Sequence, residues 1–207
     1  MEGLAKRIME LKRSPVRRLV DARLKEFKEA GRKSSDDVFK ELSFCILTAN
    51  STAELCMRIQ QAVGEGFLTL PEAALAAKLR EQGYRFPNVR ARFIAEARKH
   101  KGSLKESLAS SDEKEMRAWL VTNVKGLGLK EASHFLRNIG FGSLAIIDFH
   151  IIDLLEREGL IARPKTLTSK RYLEIESVLE KLAARAGMSL AELDLYLWYM
   201  ETGKILK

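Results

Sequence analysis

An all-α fold is the fold class that this 207-residue sequence predicts. Apolar residues recur every three or four positions along most of the chain, as they do on one face of an amphipathic helix. Serine, threonine or aspartate precedes several of these segments, and glycine follows several of them, which is the usual pattern of helix caps. We find no segment with the alternation of apolar and polar residues that is typical of a half-buried strand.

The helices of the first half are predicted from this periodicity and from the residues that interrupt it. In order, they are Leu4–Leu11; Pro15–Ala30, ending at Gly31; a helix capped by Ser34 or Ser35 that carries Val38, Leu42, Cys45 and Ile46; Thr52–Val63, closed by Gly64; a helix that starts near Pro71 and stops at Gly83; and a basic helix from about Asn88 to His100. The polar triplet Asn50–Thr52 separates the third helix from the fourth.

The helices of the second half follow caps and a glycine turn. Ser110 and Glu113 have the spacing of a capping box, and the same spacing recurs at Ser189 and Glu192. The predicted helices are one after Ser110 that carries Met116 and Leu120, one after the turn at 126–128 that carries Ala132 and Phe135, Asp148–Glu158, Thr168–Ala186 and Ser189–Met200.

The charge balance favours a polyanionic partner. Thirty-six lysines and arginines against 28 acidic residues give a net charge of +8. Binding to phosphates through such an excess is salt-sensitive, and a merely basic surface is the alternative. The sequence has no apolar run that could span a membrane and no secretion signal, so we expect an intracellular protein of the cytoplasm or nucleoid.

The two cysteines, Cys45 and Cys56, each lie in an apolar segment and are expected to be buried free thiols. Two thiolates cannot complete a four-cysteine iron–sulfur cluster. The sequence also contains no CxxC or HExxH pattern. We therefore expect no zinc site, no catalytic metal and no cofactor.

A Gly-x-Gly turn between two predicted helices is the first candidate for function. Gly126 and Gly128 allow a tight turn and a close approach to another backbone. Amides at the start of the next helix can then bind a phosphate, which is a sequence-independent contact with DNA. An ordinary helix–helix turn is the alternative, but Lys125 on one side and Lys130 on the other favour the DNA contact.

Lys130 and Asp148 are the candidate catalytic pair. Lys130 falls in the first turn of a helix, where the dipole and partial burial favour a neutral amine that can attack a sugar carbon. Asp148 falls at the start of the next helix, where its carboxylate could stabilise a cationic centre. The alternatives are that Lys130 simply pairs with a phosphate and that Asp148 simply caps its helix.

These residues resemble those of the helix-hairpin-helix DNA glycosylase superfamily, in particular the short archaeal-type 8-oxoguanine DNA glycosylases. The resemblance rests on KGLGLK, on the step of 18 residues from Lys130 to Asp148, and on the segments SFCILTANSTAE, GFLTLP, KEASHFLRNIGF, AIIDFHI and LDLYLWYMETGKILK. It implies a two-lobed fold with a cleft between the lobes. Residues 34–147 would form the central lobe, and residues 1–33 with 148–207 the other.

The resemblance implies a bifunctional enzyme that excises 8-oxoguanine from double-stranded DNA and then cuts the abasic site. In that family the hairpin lysine is the nucleophile and the later aspartate the catalytic carboxylate, which here are Lys130 and Asp148. A monomer fits an enzyme that wraps bent DNA. A bifunctional glycosylase for oxidised pyrimidines and a noncatalytic helix-hairpin-helix module are the alternatives, and an interaction scaffold is a more distant one.

The resemblance also implies candidates for reading the flipped base. Phe86 and Trp198 would stack on the purine, and the Lys207 carboxylate would accept the hydrogen that 8-oxoguanine carries at N7. Asn50 would fill the gap left in the duplex. For these residues the alternatives are core packing for Trp198, a frayed terminus for Lys207 and a helix break at Asn50.

A structural monovalent cation is a further implication of the resemblance. Its ligands would be the main-chain carbonyls of Thr122, Val124 and Leu127, next to the glycine turn. Carbonyl ligands leave no side-chain signature, so the sequence does not identify the ion.

Overall fold

The protein is described by a computed structural model that covers residues 1–109 and 112–207. Over these residues it forms thirteen α-helices and one 3-10 turn, with no strand, which confirms the all-α prediction. The helices are α1 Glu2–Lys12, α2 Val16–Arg32, α3 Ser35–Thr48, α4 Ala53–Val63, α5 Gly66–Thr69, α6 Glu72–Glu81, α7 Pro87–Ala97, α8 Leu104–Ser107, α9 Glu113–Asn123, α10 Leu129–Asn138, α11 Phe149–Arg157, α12 Ser169–Ala186 and α13 Leu190–Thr202; Arg98–His100 is the 3-10 turn.

Six of the described helices begin at a side-chain cap, and five of these six starts lie where the sequence predicts them. Hydroxyl or carboxylate oxygens accept a main-chain N–H two or three residues ahead, which satisfies one of the unpaired donors of the first turn. The residues that do so are Ser34, Thr52, Asp112, Asp148, Thr168 and Ser189. Ser110, the predicted start of the capping box before α9, lies outside the described residues.

The predicted end of α2 at Gly31 is wrong, because the helix continues through this glycine to Arg32. A Cβ atom at Gly31 would lie 2.0 Å from the carbonyl oxygen of Ile139. On the other side of the contact, a Cβ atom at Gly140 would lie 3.0 Å from Cα of Lys28. Gly31 is therefore needed for the close crossing of α2 over the end of α10 and does not terminate its helix.

The buried apolar side chains form two clusters. One gathers residues between Val38 and Leu144, from α3 to α10 and the segment that follows it. The other gathers α1, α2 and α11 to α13, and it includes Ala145 and Ile147. The chain thus passes from one cluster to the other just before Asp148. The lobe boundaries at residues 34–147 stay a prediction.

A buried ion pair joins the two clusters. Arg117 on α9 donates to both oxygens of Glu176 on α12 at 2.6 and 2.8 Å, and each side chain is 3% exposed. Glu176 also accepts the N–H of Ala145 at 3.0 Å, and Arg117 donates to Ser133 at 3.2 Å. The polar groups of the pair are thus compensated by further hydrogen bonds, as a buried pair requires.

Cys45 and Cys56 are buried free thiols, as predicted. Among the described residues, no helix is both long and apolar enough to cross a membrane.

Candidate active site

The glycine turn lies between α9 and α10 and rests on α7. Gly126 has a φ of +89°, a conformation that favours glycine. A Cβ atom there would lie 2.5 Å from Cδ2 of Phe93 and 3.0 Å from a guanidinium nitrogen of Arg90. The backbone conformation and the contact with α7 therefore both require glycine at this position.

Lys130 lies in the first turn of α10, beside the carboxylate that caps the helix. One oxygen of Glu131 accepts the N–H of Gly128 at 3.1 Å. The other lies 3.3 Å from the Lys130 amine, whose side chain is 26% exposed. Leu129, Lys130 and Glu131 are first-turn residues, whose N–H groups have no acceptor within the helix. This end of α10 can therefore receive an anion.

Asp148 caps α11, which is the role predicted as the alternative to catalysis, and it also faces a cavity. Its Oδ1 accepts the N–H of Ile151 at 3.0 Å. The carboxylate lines the same cavities as Lys130. A cap occupies one oxygen and fixes the side chain, so capping and an electrostatic role are compatible.

The segment that leads to Asp148 is held by Tyr172 of α12. The Tyr172 hydroxyl donates to the carbonyl of Ala145 at 2.7 Å and accepts the N–H of Ile147 at 3.3 Å. Tyr172 is buried, and burial raises its pKa. The position of Asp148 thus depends on α12 as well as on its own helix.

Two adjacent cavities bring together most of the predicted site residues. The larger has a volume of about 970 Å³ and the smaller about 90 Å³. Lys130, Asp148 and Trp198 line both of them. Asn50 and Gly128 line the larger cavity, and Lys207 lines the smaller. The larger volume is in the range of sites that hold small organic ligands.

The two aromatic candidates occupy different places. The ring of Trp198 meets that of His150 edge-on, with centroids 5.0 Å apart. Its Nε1 is buried and has no hydrogen-bond partner among the described residues. Phe86 is 39% exposed and lies under the guanidinium of Arg85, 4.9 Å from its ring centroid. Within the described part of the chain, neither cavity is lined by Phe86.

The remaining DNA-contact candidates lie on the surface around the cleft. Asn50 is exposed and has a φ of +61°, the left-handed conformation in a non-glycine residue. The carbonyl just before it, of Ala49, accepts a hydrogen bond from Arg90 at 3.2 Å. Because Arg90 also lies against Gly126, α7 supports both the Asn50 turn and the hairpin. The side chain of Lys125 is 68% exposed and pairs with Glu96 at 2.9 Å.

The predicted carbonyl ligands for a cation belong to the hairpin turn. The carbonyl of Val124 accepts the N–H of Leu127 at 3.3 Å, and a carbonyl oxygen has a second lone pair for an ion. Thr122 and Leu127 flank it. A monovalent cation at these three carbonyls stays a prediction. Among the described residues, no cluster of histidine, cysteine or carboxylate side chains could hold a metal ion.

Several polar residues at the smaller cavity were not predicted as functional. Arg137 pairs with Asp194, and both line this cavity with His134. Burial raises the pKa of Asp194 to about 6, against the effect of the Arg137 guanidinium, and the charge of Asp148 raises it as well. His134 and Arg137 belong to the KEASHFLRNIGF segment. The signal that could have identified them is their position beside the core residues Phe135 and Leu136 in the same helix.

Burial also determines the charge state of His134. Its pKa is well below the usual value because the ring is buried, and because Arg137, Lys130 and Lys207 are nearby cations. A hydrogen bond to the main chain of Lys207 acts in the opposite direction. His134 is therefore a neutral ring between the two catalytic candidates and the end of the chain.

Several known proteins are similar to this chain over nearly its full length. The family model described as 8-oxoguanine DNA glycosylase, of the helix-hairpin-helix type, matches residues 20–188. The "8-oxoguanine DNA glycosylase/AP lyase" of Korarchaeum cryptofilum is 53% identical, over 100% of this chain and 99% of that protein. The enzyme of the same name from Methanocaldococcus jannaschii is 50% identical, over 99% of each chain.

A solved structure of a similar protein has the same fold as this chain. The crystal structure of the Methanocaldococcus jannaschii 8-oxoguanine glycosylase/lyase in complex with a 15mer DNA containing 8-oxoguanine has a TM-score of 0.95 and 48% identity, and the match covers 99% of each chain. The helix-hairpin-helix glycosylase fold is thereby confirmed. This chain belongs to the 8-oxoguanine DNA glycosylase family.

Proposed function

We propose that this protein excises 8-oxoguanine from DNA and cleaves the resulting abasic site, with Lys130 as the nucleophile and Asp148 as the stabilising carboxylate. The single observation that carries the residue assignment is that both side chains, each at the start of a helix, line the same two cavities. A chain of this family therefore has an amine and a carboxylate facing one substrate-sized space.

Base removal begins when the damaged nucleotide is turned out of the duplex into the space formed by the two adjacent cavities. In its deprotonated form the Lys130 amine attacks C1′ of the deoxyribose, and the bond from C1′ to the base breaks. Positive charge develops on the sugar in this step, and the Asp148 carboxylate stabilises it. The base leaves with the electron pair of the broken bond.

Strand cleavage follows from the covalent intermediate. The lysine nitrogen loses a proton, the C1′–O4′ bond breaks with its electron pair going to O4′, and O4′ takes up a proton; the result is a Schiff base between Lys130 and C1′. Removal of a C2′ proton then expels the 3′ phosphate by β-elimination. The lysine is released when water hydrolyses the Schiff base.

Recognition of the base involves Trp198 and Lys207, which line the cavities, and Phe86, which does not. Trp198 offers a ring for stacking, and the Lys207 carboxylate accepts the N7 hydrogen that guanine lacks. Phe86, which lies outside both cavities, can stack on the base only if the loop before α7 moves toward the cleft when DNA binds. Normal guanine presents a lone pair at N7 and is rejected by the carboxylate.

Binding of the duplex uses the hairpin and the Asn50 turn. The amides after Gly126 and Gly128 contact phosphates, Lys125 adds a positive charge, and Asn50 fills the gap left by the extruded nucleotide. Because these contacts neutralise phosphates, affinity falls with added salt. We further propose that the protein acts as a monomer on the DNA of the nucleoid; sedimentation of the free and DNA-bound protein tests the first part.

The deciding experiment is trapping with borohydride, which reduces the Schiff base to a stable bond. Protein should become attached to a duplex with 8-oxoguanine and not to an undamaged duplex. The Lys130→Gln variant should show no attachment, whereas Lys6→Gln, an exposed lysine of α1, should match the wild type. Attachment that persists in Lys130→Gln would refute the nucleophile. A duplex with thymine glycol tests the oxidised-pyrimidine alternative.

A further inference from the structure

The side chain of Lys207 is held by residues of the central helices. Its ammonium donates to Glu41 of α3 at 2.8 Å and to Gln60 of α4 at 2.5 Å. It also lies 4.3 Å from the centroid of the Phe44 ring. The main chain of Lys207 is hydrogen-bonded to His134 of α10. Four residues from three helices thus fix the position of Lys207.

Glu41 is the centre of this arrangement. Its side chain is 11% exposed and has three donors. Besides Lys207, Asn138 donates to one oxygen at 2.7 Å, and Gln60 donates to the other at 3.1 Å. Asn138 in turn accepts two hydrogen bonds from Arg137, at 2.8 and 3.1 Å. Glu41 therefore connects Lys207, through Asn138, to the Arg137–Asp194 pair, which also lines the smaller cavity.

A buried network of this kind is costly to build for stability alone. Charged groups lose their hydration on burial, and apolar residues of the same size often stabilise a fold equally well. Its clearest effect is geometric, because it determines where the last residues lie. Leu206 and Lys207 form part of the wall of the smaller cavity, with Lys130 and Asp148 among the other lining residues.

We propose that Glu41 is a positioning residue for recognition of the damaged base. By holding the Lys207 ammonium, it keeps Leu206 and Lys207 against the space that the base enters. Glu41 itself lies away from the reacting atoms and acts through Lys207. The inference rests on the proposed function and deepens it, since it concerns the selection of the base and leaves the Schiff-base chemistry unchanged.

Two variants, each measured in two reactions, distinguish a positioning role of Glu41 from a general loss of structure. Glu41→Gln removes the charge at nearly constant shape, and Lys207→Met removes the ammonium while leaving the main chain. Excision of 8-oxoguanine is measured as kcat/KM, beside AP-lyase cleavage of a duplex that already contains an abasic site. The second reaction needs Lys130 but no base in the cavity.

We expect each variant to lower kcat/KM for 8-oxoguanine by about tenfold, the effect of one displaced hydrogen-bonding group. AP-lyase cleavage of the preformed site should change by less than about twofold. The double variant should be no worse than the single ones, because both changes break the same contact. Lys40 lies next to Glu41 on α3, and Lys40→Met removes its ion pairs with Asp37 and Glu65; this variant is the matched control and should leave excision unchanged.

The outcomes also distinguish this inference from the proposed function. Equal losses in excision and lyase activity, or no loss in either variant, would overturn the role of Glu41. If the wild-type protein fails to form the borohydride adduct with a duplex containing a preformed abasic site, the proposed function itself is wrong. Additive effects in the double variant would show that Glu41 acts by a route other than Lys207.

Discussion

The two walls of the cleft are built in different ways. The hairpin wall, formed by Gly128, Lys130 and Asp148, comes from one short stretch of chain, and each of its parts starts a helix. The tail wall, formed by Trp198, Leu206 and Lys207, is held by contacts such as the one from Lys207 to Glu41, which spans 166 positions. Under the proposed function, the chemistry would therefore depend on local helix caps, and selection of the base on distant packing.

The largest expected effect comes from removing the charge of the Asp148 carboxylate in the hairpin wall. Asparagine caps a helix about as well as aspartate, so Asp148→Asn removes the charge and keeps α11. We expect excision in a single turnover to slow by about 100- to 1000-fold. The free energy of unfolding should change by less than about 0.5 kcal/mol.

Asp148→Ala completes this test, because alanine removes the cap as well as the charge. Its unfolding free energy should fall by about 1 kcal/mol relative to Asp148→Asn, with a similar excision rate. An Asp148→Asn variant that excises at the wild-type rate would leave Asp148 with the capping role alone.

The next largest effect concerns the backbone of the hairpin. Gly126→Ala places a side chain at a φ of +89° and against Phe93, so we expect the free energy of unfolding to fall by about 3 kcal/mol. Gly128 has a φ of −97°, and a Cβ atom there meets only the end of the Glu131 side chain, at 3.2 Å. Gly128→Ala should therefore cost less than about 1 kcal/mol. Denaturation curves of the two variants give the comparison, and equal losses would contradict it.

The contrast between local caps and distant contacts also explains which features the sequence could predict. Caps such as Ser34, Thr52 and Asp148 act over three residues, so local sequence was enough to place them. Gly31 fits the pattern of a helix end, but glycine is needed there because of the carbonyl of Ile139, which lies more than a hundred positions away in the sequence. The contact of Glu41 with Lys207 has no local signal at all. For the tail wall, the resemblance supplied Trp198 and Lys207 but not the residues that hold them.

A smaller effect is expected where the two walls are joined. Tyr172→Phe removes the hydroxyl that holds Ala145 and Ile147 in front of Asp148, and leaves both main-chain groups without this partner. We expect a loss of about 1–2 kcal/mol in the free energy of unfolding. Excision should slow by less than about tenfold, because the carboxylate is displaced and not removed.

Tyr196→Phe is the matched control for Tyr172. Tyr196 is also buried, but its hydroxyl has no hydrogen-bond partner among the described residues. Removing this hydroxyl should change the unfolding free energy by less than about 0.5 kcal/mol, or increase it. If both tyrosine variants lose the same stability, the hydroxyl of Tyr172 does not hold the approach to Asp148.

The smallest effect tests the tail wall through pH. Burial keeps the pKa of His134 well below its ordinary value of 6.5, so the folded protein binds fewer protons than the unfolded chain below that pH. The contribution of His134 to stability is therefore complete above pH 6.5 and is lost as the pH falls toward the lowered pKa. Between about pH 6.5 and 5.5 this loss amounts to about 1 kcal/mol. Over the same interval, the free energy of unfolding of His134→Gln should fall by about 1 kcal/mol less than that of the wild type, because all other titrating groups are common to the two proteins. Denaturation curves measured at each pH give this comparison. Parallel pH profiles would mean that water or an anion reaches the ring, and that the tail wall is open on the side where Lys207 lies.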